Sequence, residues 1–197
     1  LFPYTTLFRS APARASMAEL TYPFVTIAIA ILCGAASLVW RVQTAERARW
    51  QSAVALSLSL GSLLGALILL HFSPNRILVE QTRWFRIDSL NGISLILFNA
   101  LALGIVILAP RRKVTPHWLS GLLLLTAATI AAYAGNNLLV FLAGWALSIL
   151  PFVSKRFLAV AGELEMPVLG RAVLLATVLA LAAGIGLLTW QIGRAHV

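Results

Sequence analysis

Long apolar stretches alternate with short polar connections along most of the chain. Each stretch has a length close to the ~20 helical residues that cross a bilayer core of about 30 Å. Charged residues fall in clusters between the stretches and not along one face within them, which is typical of membrane spans. The pattern therefore predicts a multi-pass helical protein with about six spans. The predicted spans are 22–40, 52–72, 90–109, 119–135, 138–153 and 171–190.

Only Gly135, Asn136 and Asn137 separate the fourth and fifth stretches. A single long span is the alternative, but it would bury two side-chain amides in lipid, where an unpaired polar group is costly. Glycine and asparagine accept the positive φ that ends many helices. We therefore predict two helices joined by a tight turn at the membrane interface.

The composition excludes an ordinary soluble domain. Hydrophobic residues make up 60% of the 197 residues, charged residues make up 11%, and the mean hydropathy is +0.93. Soluble domains carry roughly 25% charged residues, and a soluble core does not hide this much apolar surface. The predicted fold class is all-α, a polytopic transmembrane helix bundle whose first partner is the lipid bilayer.

The charge pattern predicts the orientation of the helices. A formal net charge of +9 is compatible with nucleic-acid binding, but basic clusters between apolar spans are typical of orienting charges, so we predict no nucleic-acid partner. In loop two Arg76, Arg83 and Arg86 are partly balanced by Glu80 and Asp88, and loop four has no basic residue. Loops one, three and five hold the basic clusters that set the predicted orientation, and we expect them in the cytoplasm with the N-terminus outside. Their residues are Arg41, Arg47 and Arg49, then Arg111, Arg112 and Lys113, then Lys155 and Arg156.

Both ends of the chain match translated sequencing adapters. Residues 1–10 match a common short-read adapter, and residues 192–197 match the start of the opposite adapter, with Gln191 partly included. Segments of this origin carry no information about the fold. The expected division is 1–10 artefact, 11–21 N-terminal tail with Met17 as the true start, 22–190 truncated transmembrane domain, and 191–197 artefact.

Motifs for catalysis, cofactors or metals are absent from the sequence. It contains no glycine-rich phosphate loop, HExxH helix or Ser-His-Asp arrangement, and we predict no catalytic, cofactor-binding or metal-binding residue. Cys33 is the only cysteine and lies in an apolar run, which excludes a disulfide framework. His71 and His117 lack partners at metal-ligand spacing, and we expect both at the interface.

Three motifs resemble a family of ion-translocating membrane proteins. Segment 85–95, FRIDSLNGISL, opens the third span, while 136–141, NNLLVF, and 145–151, WALSILP, belong to the fifth. In this order they resemble the proton-pumping membrane subunits of respiratory complex I and the related multisubunit cation/proton antiporters. Helix order and spacing agree with that family from about residue 22 to residue 190.

The resemblance implies a subunit that moves ions, with protons as the expected ion, across a bacterial-type inner membrane. It implies other membrane subunits of a larger complex as partners. It also implies no redox cofactor in this subunit, so that any enzymatic activity would belong to an NADH-quinone oxidoreductase of which this chain is a non-redox part.

Two positions depart from the family pattern. A membrane-embedded glutamate follows the tryptophan of the family's fifth helix, and Ala146 stands there in this chain. Because buried carboxylates are normally retained for ion transfer, the expected protonatable centre is missing. Arg171 stands near the family's lysine of the sixth helix, where a permanently charged side chain is a poor proton relay. Arg171 is either part of an ion path or an interfacial anchor.

Two other functions stay open. The companion membrane subunits of inorganic-carbon uptake systems resemble the same family without the acidic residue, and segments 137–139 and 144–146 fit that variant about as well. The second alternative is a non-conducting membrane scaffold or an unrelated transporter.

Asp88 and Asn99 join Arg171 as candidates for an ion path. Asp88 lies at the entrance of the third span, where we expect it to cap the helix, with proton entry as the alternative. Asn99 lies within the span. We expect it to hydrogen-bond a neighbouring helix, with a hydrated channel as the alternative.

Overall fold

The computed structural model describes residues 23–72, 77–79, 84–110, 114–153 and 168–195. Within these ranges it consists of six helices and one antiparallel hairpin of two short strands. The helices are α1 (Phe24–Arg41), α2 (Ala45–Phe72), α3 (Ser89–Leu108), α4 (Pro116–Ala134), α5 (Leu138–Val153) and α6 (Val168–Ala195). The strands, β1 (Ile77–Val79) and β2 (Arg86–Asp88), lie between α2 and α3.

The described residues are largely helical, as predicted, but fewer helices than the six predicted are long and apolar enough to span a membrane. Four helices, α1 to α4, are long and apolar enough to cross a membrane by length and composition. Helix α5 has 16 residues and is about 24 Å long, which is less than the bilayer core. In α6 the residues whose side chains the structure describes include an apolar segment, 172–186, which is also shorter than a full membrane span.

Two helices extend beyond the apolar stretches that predicted them. Helix α2 begins at Ala45, although its apolar stretch begins at residue 52. Glu46 lies in its first turn, where a negative charge favours the helix N-terminus. Helix α6 continues to Ala195, through residues expected to come from an adapter. Hydropathy marks the part of a helix that lies in lipid, and the helix itself can continue into the interface.

Helix α4 lies at the centre of the described bundle. It packs against α1, α2, α3 and α5, and 56% of its apolar window is buried, against 28% for α1. Helix α1 presents to the core a stripe spaced three or four residues apart, as a helix period of 3.6 requires. The stripe is Val25, Ala28, Leu32, Ala36 and Val39.

The turn between α4 and α5 confirms the prediction of two separate helices, with a different role for its glycine. Gly135 has φ −60° and ψ 119°. The prediction of a positive φ at this glycine is therefore wrong. Gly135 lies in an extended bridge with Phe85, and a Cβ there would lie 3.1 Å from the Phe141 nitrogen and 3.2 Å from the Ala131 oxygen. Close approach of the backbone therefore favours glycine here.

The connections alternate between the two ends of the bundle. At one end the Asn136 nitrogen donates to the Trp84 oxygen at 2.8 Å, which joins the α4–α5 turn to the α2–α3 connection. At the other end Arg49 donates to the Ile107 carbonyl, which joins the start of α2 to the end of α3. This alternation agrees with the predicted loop pattern, and the membrane side of each end stays a prediction.

Gly144 sets the distance between α5 and α4. A Cβ at this position would lie 2.6 Å from the Ala132 nitrogen and 3.0 Å from the Ala128 oxygen, both backbone atoms that cannot rotate away. We therefore expect Gly144→Ala to lower the free energy of unfolding, measured by denaturing-detergent titration, by about 1–3 kcal/mol. Gly104→Ala is the matched control, because no atom lies within 4 Å of its Cβ. Equal effects of the two substitutions would contradict this packing.

The orientation is testable with single cysteines in a Cys33→Ala background. Gln43 and Ser89 are exposed residues at opposite ends of the bundle. We expect a membrane-impermeant maleimide to label Ser89→Cys on intact cells and to label Gln43→Cys only after permeabilisation, because basic connections stay in the cytoplasm. Labelling of Gln43→Cys alone on intact cells would reverse the predicted topology.

Candidate functional site

The candidate site is a pair of polar side chains between α2 and α3. Ser59 on α2 and Asn99 on α3 are both 0% exposed. The Asn99 Nδ2 atom donates a hydrogen bond to the Ser59 Oγ atom at 2.6 Å. The predicted interhelical bond of Asn99 is therefore confirmed, and its partner is Ser59.

One half of the Asn99 amide has no hydrogen bond. Its Oδ1 atom is buried and lacks a partner among the described residues. The neighbours on the same face of α3 are apolar or lack a polar side chain, namely Gly92, Leu95, Ala102 and Val106. An unpaired buried carbonyl oxygen costs free energy in proportion to its lost hydration, so it is a ready acceptor for a donor that enters the bundle.

The chemistry of the pair is that of neutral hydrogen bonding. An amide oxygen accepts but does not titrate, and a serine hydroxyl both donates and accepts. The buried polar side chains in the described ranges are all uncharged: Ser52, Ser59, Asn99, Ser120 and Thr126. The pair can therefore bind a water molecule or a hydronium ion as a hydrogen-bond donor. It cannot hold a proton itself, because neither side chain is basic.

Asp88 caps α3, as predicted. Its carboxylate accepts hydrogen bonds from the backbone nitrogens of Leu90 at 3.0 Å and Asn91 at 2.9 Å. In return the Asn91 Oδ1 atom accepts from the Asp88 nitrogen at 2.8 Å, which completes a capping box. Asp88 and Asn99 are separated by about 16 Å along the axis of α3, so they do not form one cluster.

Asn91 has a second role that sequence reasoning missed. Its Nδ2 atom donates to the Arg86 oxygen at 2.9 Å and, at 3.4 Å, to the Tyr133 oxygen near the end of α4. One side chain therefore joins the hairpin, the first turn of α3 and the last turn of α4. The signal available in the sequence was the Asp-x-x-Asn spacing at the start of the third span, which resembles a capping box.

The other two candidates lie on different helices. Ala146 is a half-buried residue of α5, which packs against α4 and α6. Arg171 is in the first turn of α6, and its side chain lies outside the described part of the structure. The structure therefore joins Asn99 to a partner, gives Asp88 a capping role and leaves both the ion-path role of Arg171 and the meaning of Ala146 as predictions.

His71 and His117 both lie at helix ends. His117 is in the first turn of α4, where its ring meets the Trp40 ring edge-on at 4.3 Å, and His71 is in the last turn of α2. Among the described residues, no group of three or more His, Cys, Asp or Glu side chains is placed to hold a metal ion.

Comparison with known proteins adds no relative: no protein-family model, no curated protein and no solved structure matches the chain.

Substitution of Asp88 separates capping from proton entry. Asparagine caps helices about as well as aspartate, whereas alanine leaves the first-turn nitrogens unpaired. We expect Asp88→Ala to lower the free energy of unfolding by about 0.5–2 kcal/mol and Asp88→Asn to leave both stability and ion transport unchanged. The measurements are denaturing-detergent titration and proton flux in vesicles. A large loss of transport in Asp88→Asn with normal stability would assign Asp88 to proton entry instead.

Proposed function

We propose that the chain is a membrane-embedded subunit that translocates ions, with protons as the ion. Its place is a larger complex of the bacterial inner membrane that resembles respiratory complex I or a multisubunit cation/proton antiporter. The proposal rests on the three motifs of the sequence, on their order along six apolar segments, and on one feature of the bundle. In this proposal α5 and α6 are spans as well, with α5 tilted little because of its length.

The feature that carries the proposal is the unpartnered carbonyl oxygen of Asn99. It lies at the middle of α3, at a depth where an unsatisfied acceptor is normally removed by substitution or by packing. A water molecule that donates to Asn99 Oδ1 regains the lost hydrogen bond and can pass a proton along a file of waters. The Ser59 hydroxyl, which both donates and accepts, continues such a file on the side of α2.

In this proposal the titratable groups of the proton path lie outside the described part of this chain. Ala146 removes the acid that the family carries in its fifth helix, and the buried polar side chains described here are neutral. In the proposed complex, groups that take up and release protons are supplied by neighbouring subunits. Arg171, which stays protonated, acts on the path through its electrostatic field.

A second candidate function has a specific observation in its favour. The alanine at position 146 and the lack of a buried charge among the described residues fit a companion subunit of an inorganic-carbon uptake system or a non-conducting scaffold. The scaffold differs from the first proposal in one measurable respect: it supports no proton flux of its own.

Proton flux through the purified subunit tests the proposal. The product of the complete gene is placed in liposomes that contain a pH-sensitive dye, and a potassium diffusion potential drives proton entry. We expect a flux above that of empty liposomes, and we expect Asn99→Leu to reduce it about tenfold or more, because hydrocarbon replaces the acceptor that holds the water file.

Ser120→Ala is the matched control for this experiment. Ser120 is also buried and also bonds across a helix interface, to the Ala36 oxygen at 2.9 Å, but it lies on α4 away from the pair. We expect it to keep the wild-type flux. A wild-type flux equal to that of empty liposomes would favour the scaffold, and an unchanged flux in Asn99→Leu would remove Asn99 from the path.

A further inference from the structure

A cleft of about 400 Å³ opens between the start of α2 and the end of α3. Its walls are mostly apolar, and the polar groups at its mouth come from one turn of α2. The lining residues are Ala45, Glu46, Arg49, Trp50, Ala53, Val106, Ile107 and Val114. The cleft lies at the end of the bundle where the basic connections are expected to meet the cytoplasmic leaflet.

Arg49 is held at the mouth of the cleft. Its Nη2 atom donates to the carbonyl of Ile107, one of the last carbonyls of α3, which have no partner within the helix. A guanidinium has five donors, so this bond leaves others for a second acceptor. The bond also fixes the side chain in advance, which lowers the entropy that a ligand must overcome to use it.

Trp50 and the apolar wall extend the cleft toward lipid. Trp50 is 69% exposed beside Arg49, at a helix start where indole rings meet lipid headgroups. Beneath them lie Ala53, which leaves space, and Val106, which is fully buried. A cation and an indole above an apolar channel match a molecule with an anionic head and a hydrocarbon tail.

The charge around this end of the bundle favours an anion. Residues 41–49 contain three basic residues, Arg41, Arg47 and Arg49, and one acidic residue, Glu46. Glu46 also lines the cleft, about one helical turn before Arg49.

We propose that this cleft binds one anionic phospholipid of the inner leaflet, with its phosphate on Arg49 and an acyl chain along Ala53 and Val106. Arginine pairs with phosphate through parallel N–H bonds, and basic pockets between membrane helices on the cytoplasmic side bind anionic headgroups. The proposal is independent of proton translocation, because a non-conducting subunit would hold the same lipid.

Quenching of Trp50 fluorescence by brominated lipids tests this site. The complete subunit in neutral detergent is titrated with brominated phosphatidylglycerol and, separately, with brominated phosphatidylcholine, and the signal of a Trp50→Phe variant is subtracted. We expect the anionic lipid to quench at roughly tenfold lower concentration, because in the zwitterion the choline cation next to the phosphate offsets the attraction between that phosphate and Arg49. Equal concentrations for the two lipids would overturn the proposal.

Three variants test whether the preference for phosphatidylglycerol depends on the cleft. Arg49→Gln removes the cation, and Ala53→Phe fills the cleft but keeps every charge; both should abolish the preference for phosphatidylglycerol. Arg47→Gln is the matched control, because Arg47 is exposed on the same helix outside the lining, and it should keep the preference. An unchanged preference in Arg49→Gln or Ala53→Phe would contradict the site, even if a variant is less stable, because the readout compares two lipids on one protein.

A competition arm separates lipid from free phosphate. Inorganic phosphate and glycerol phosphate carry the same anionic group without a tail, so at millimolar concentration neither should displace brominated phosphatidylglycerol. Displacement by either compound at concentrations comparable to the lipid would show that the cleft selects a soluble phosphate, and the lipid assignment would be wrong.

Discussion

Every polar group at bilayer depth must find its partner within the protein, because lipid offers neither donors nor acceptors. The serines of the bundle meet this constraint through backbone oxygens. Ser52 bonds the carbonyl four residues earlier, while Ser62 and Ser120 bond carbonyls of α1 and so fasten α2 and α4 to it. Asn99 meets the constraint only in part, since one amide atom is bonded to Ser59 and the other is left open.

The helix ends follow a different rule, because water and headgroups are available there. At one end the capping box of Asp88 and Asn91 starts α3, and Asn91 also reaches the last turn of α4. At the other end Arg49 satisfies a carbonyl of α3. These bonds join connections that alternate in sequence, so the order of the helices in space is held by polar contacts at the two surfaces and by apolar packing between them.

Both proposals depend on this difference between the interior of the bundle and its ends. The buried polar side chains of the described bundle are neutral, and one of them, Asn99, has an acceptor without a partner, which is where we propose that water binds. Arg49 lies instead at one end of the bundle, where we propose that it binds a lipid phosphate. A subunit of this kind conducts only if other groups deliver protons to its waters. The proposed lipid site needs no such help, because Arg49 and the other lining residues of the cleft belong to this chain.

The sequence by itself determined the helices and the cap of α3. Bilayer thickness acts on each segment separately, and Asp88 bonds nitrogens only two and three residues away. It also singled out Asn99 as a polar residue in an apolar span. Only the tertiary structure decided that Ser59, 40 positions earlier, receives its hydrogen bond, and that Gly135 is extended against Phe85. Such contacts depend on how helices are juxtaposed, which the pattern along one helix does not encode.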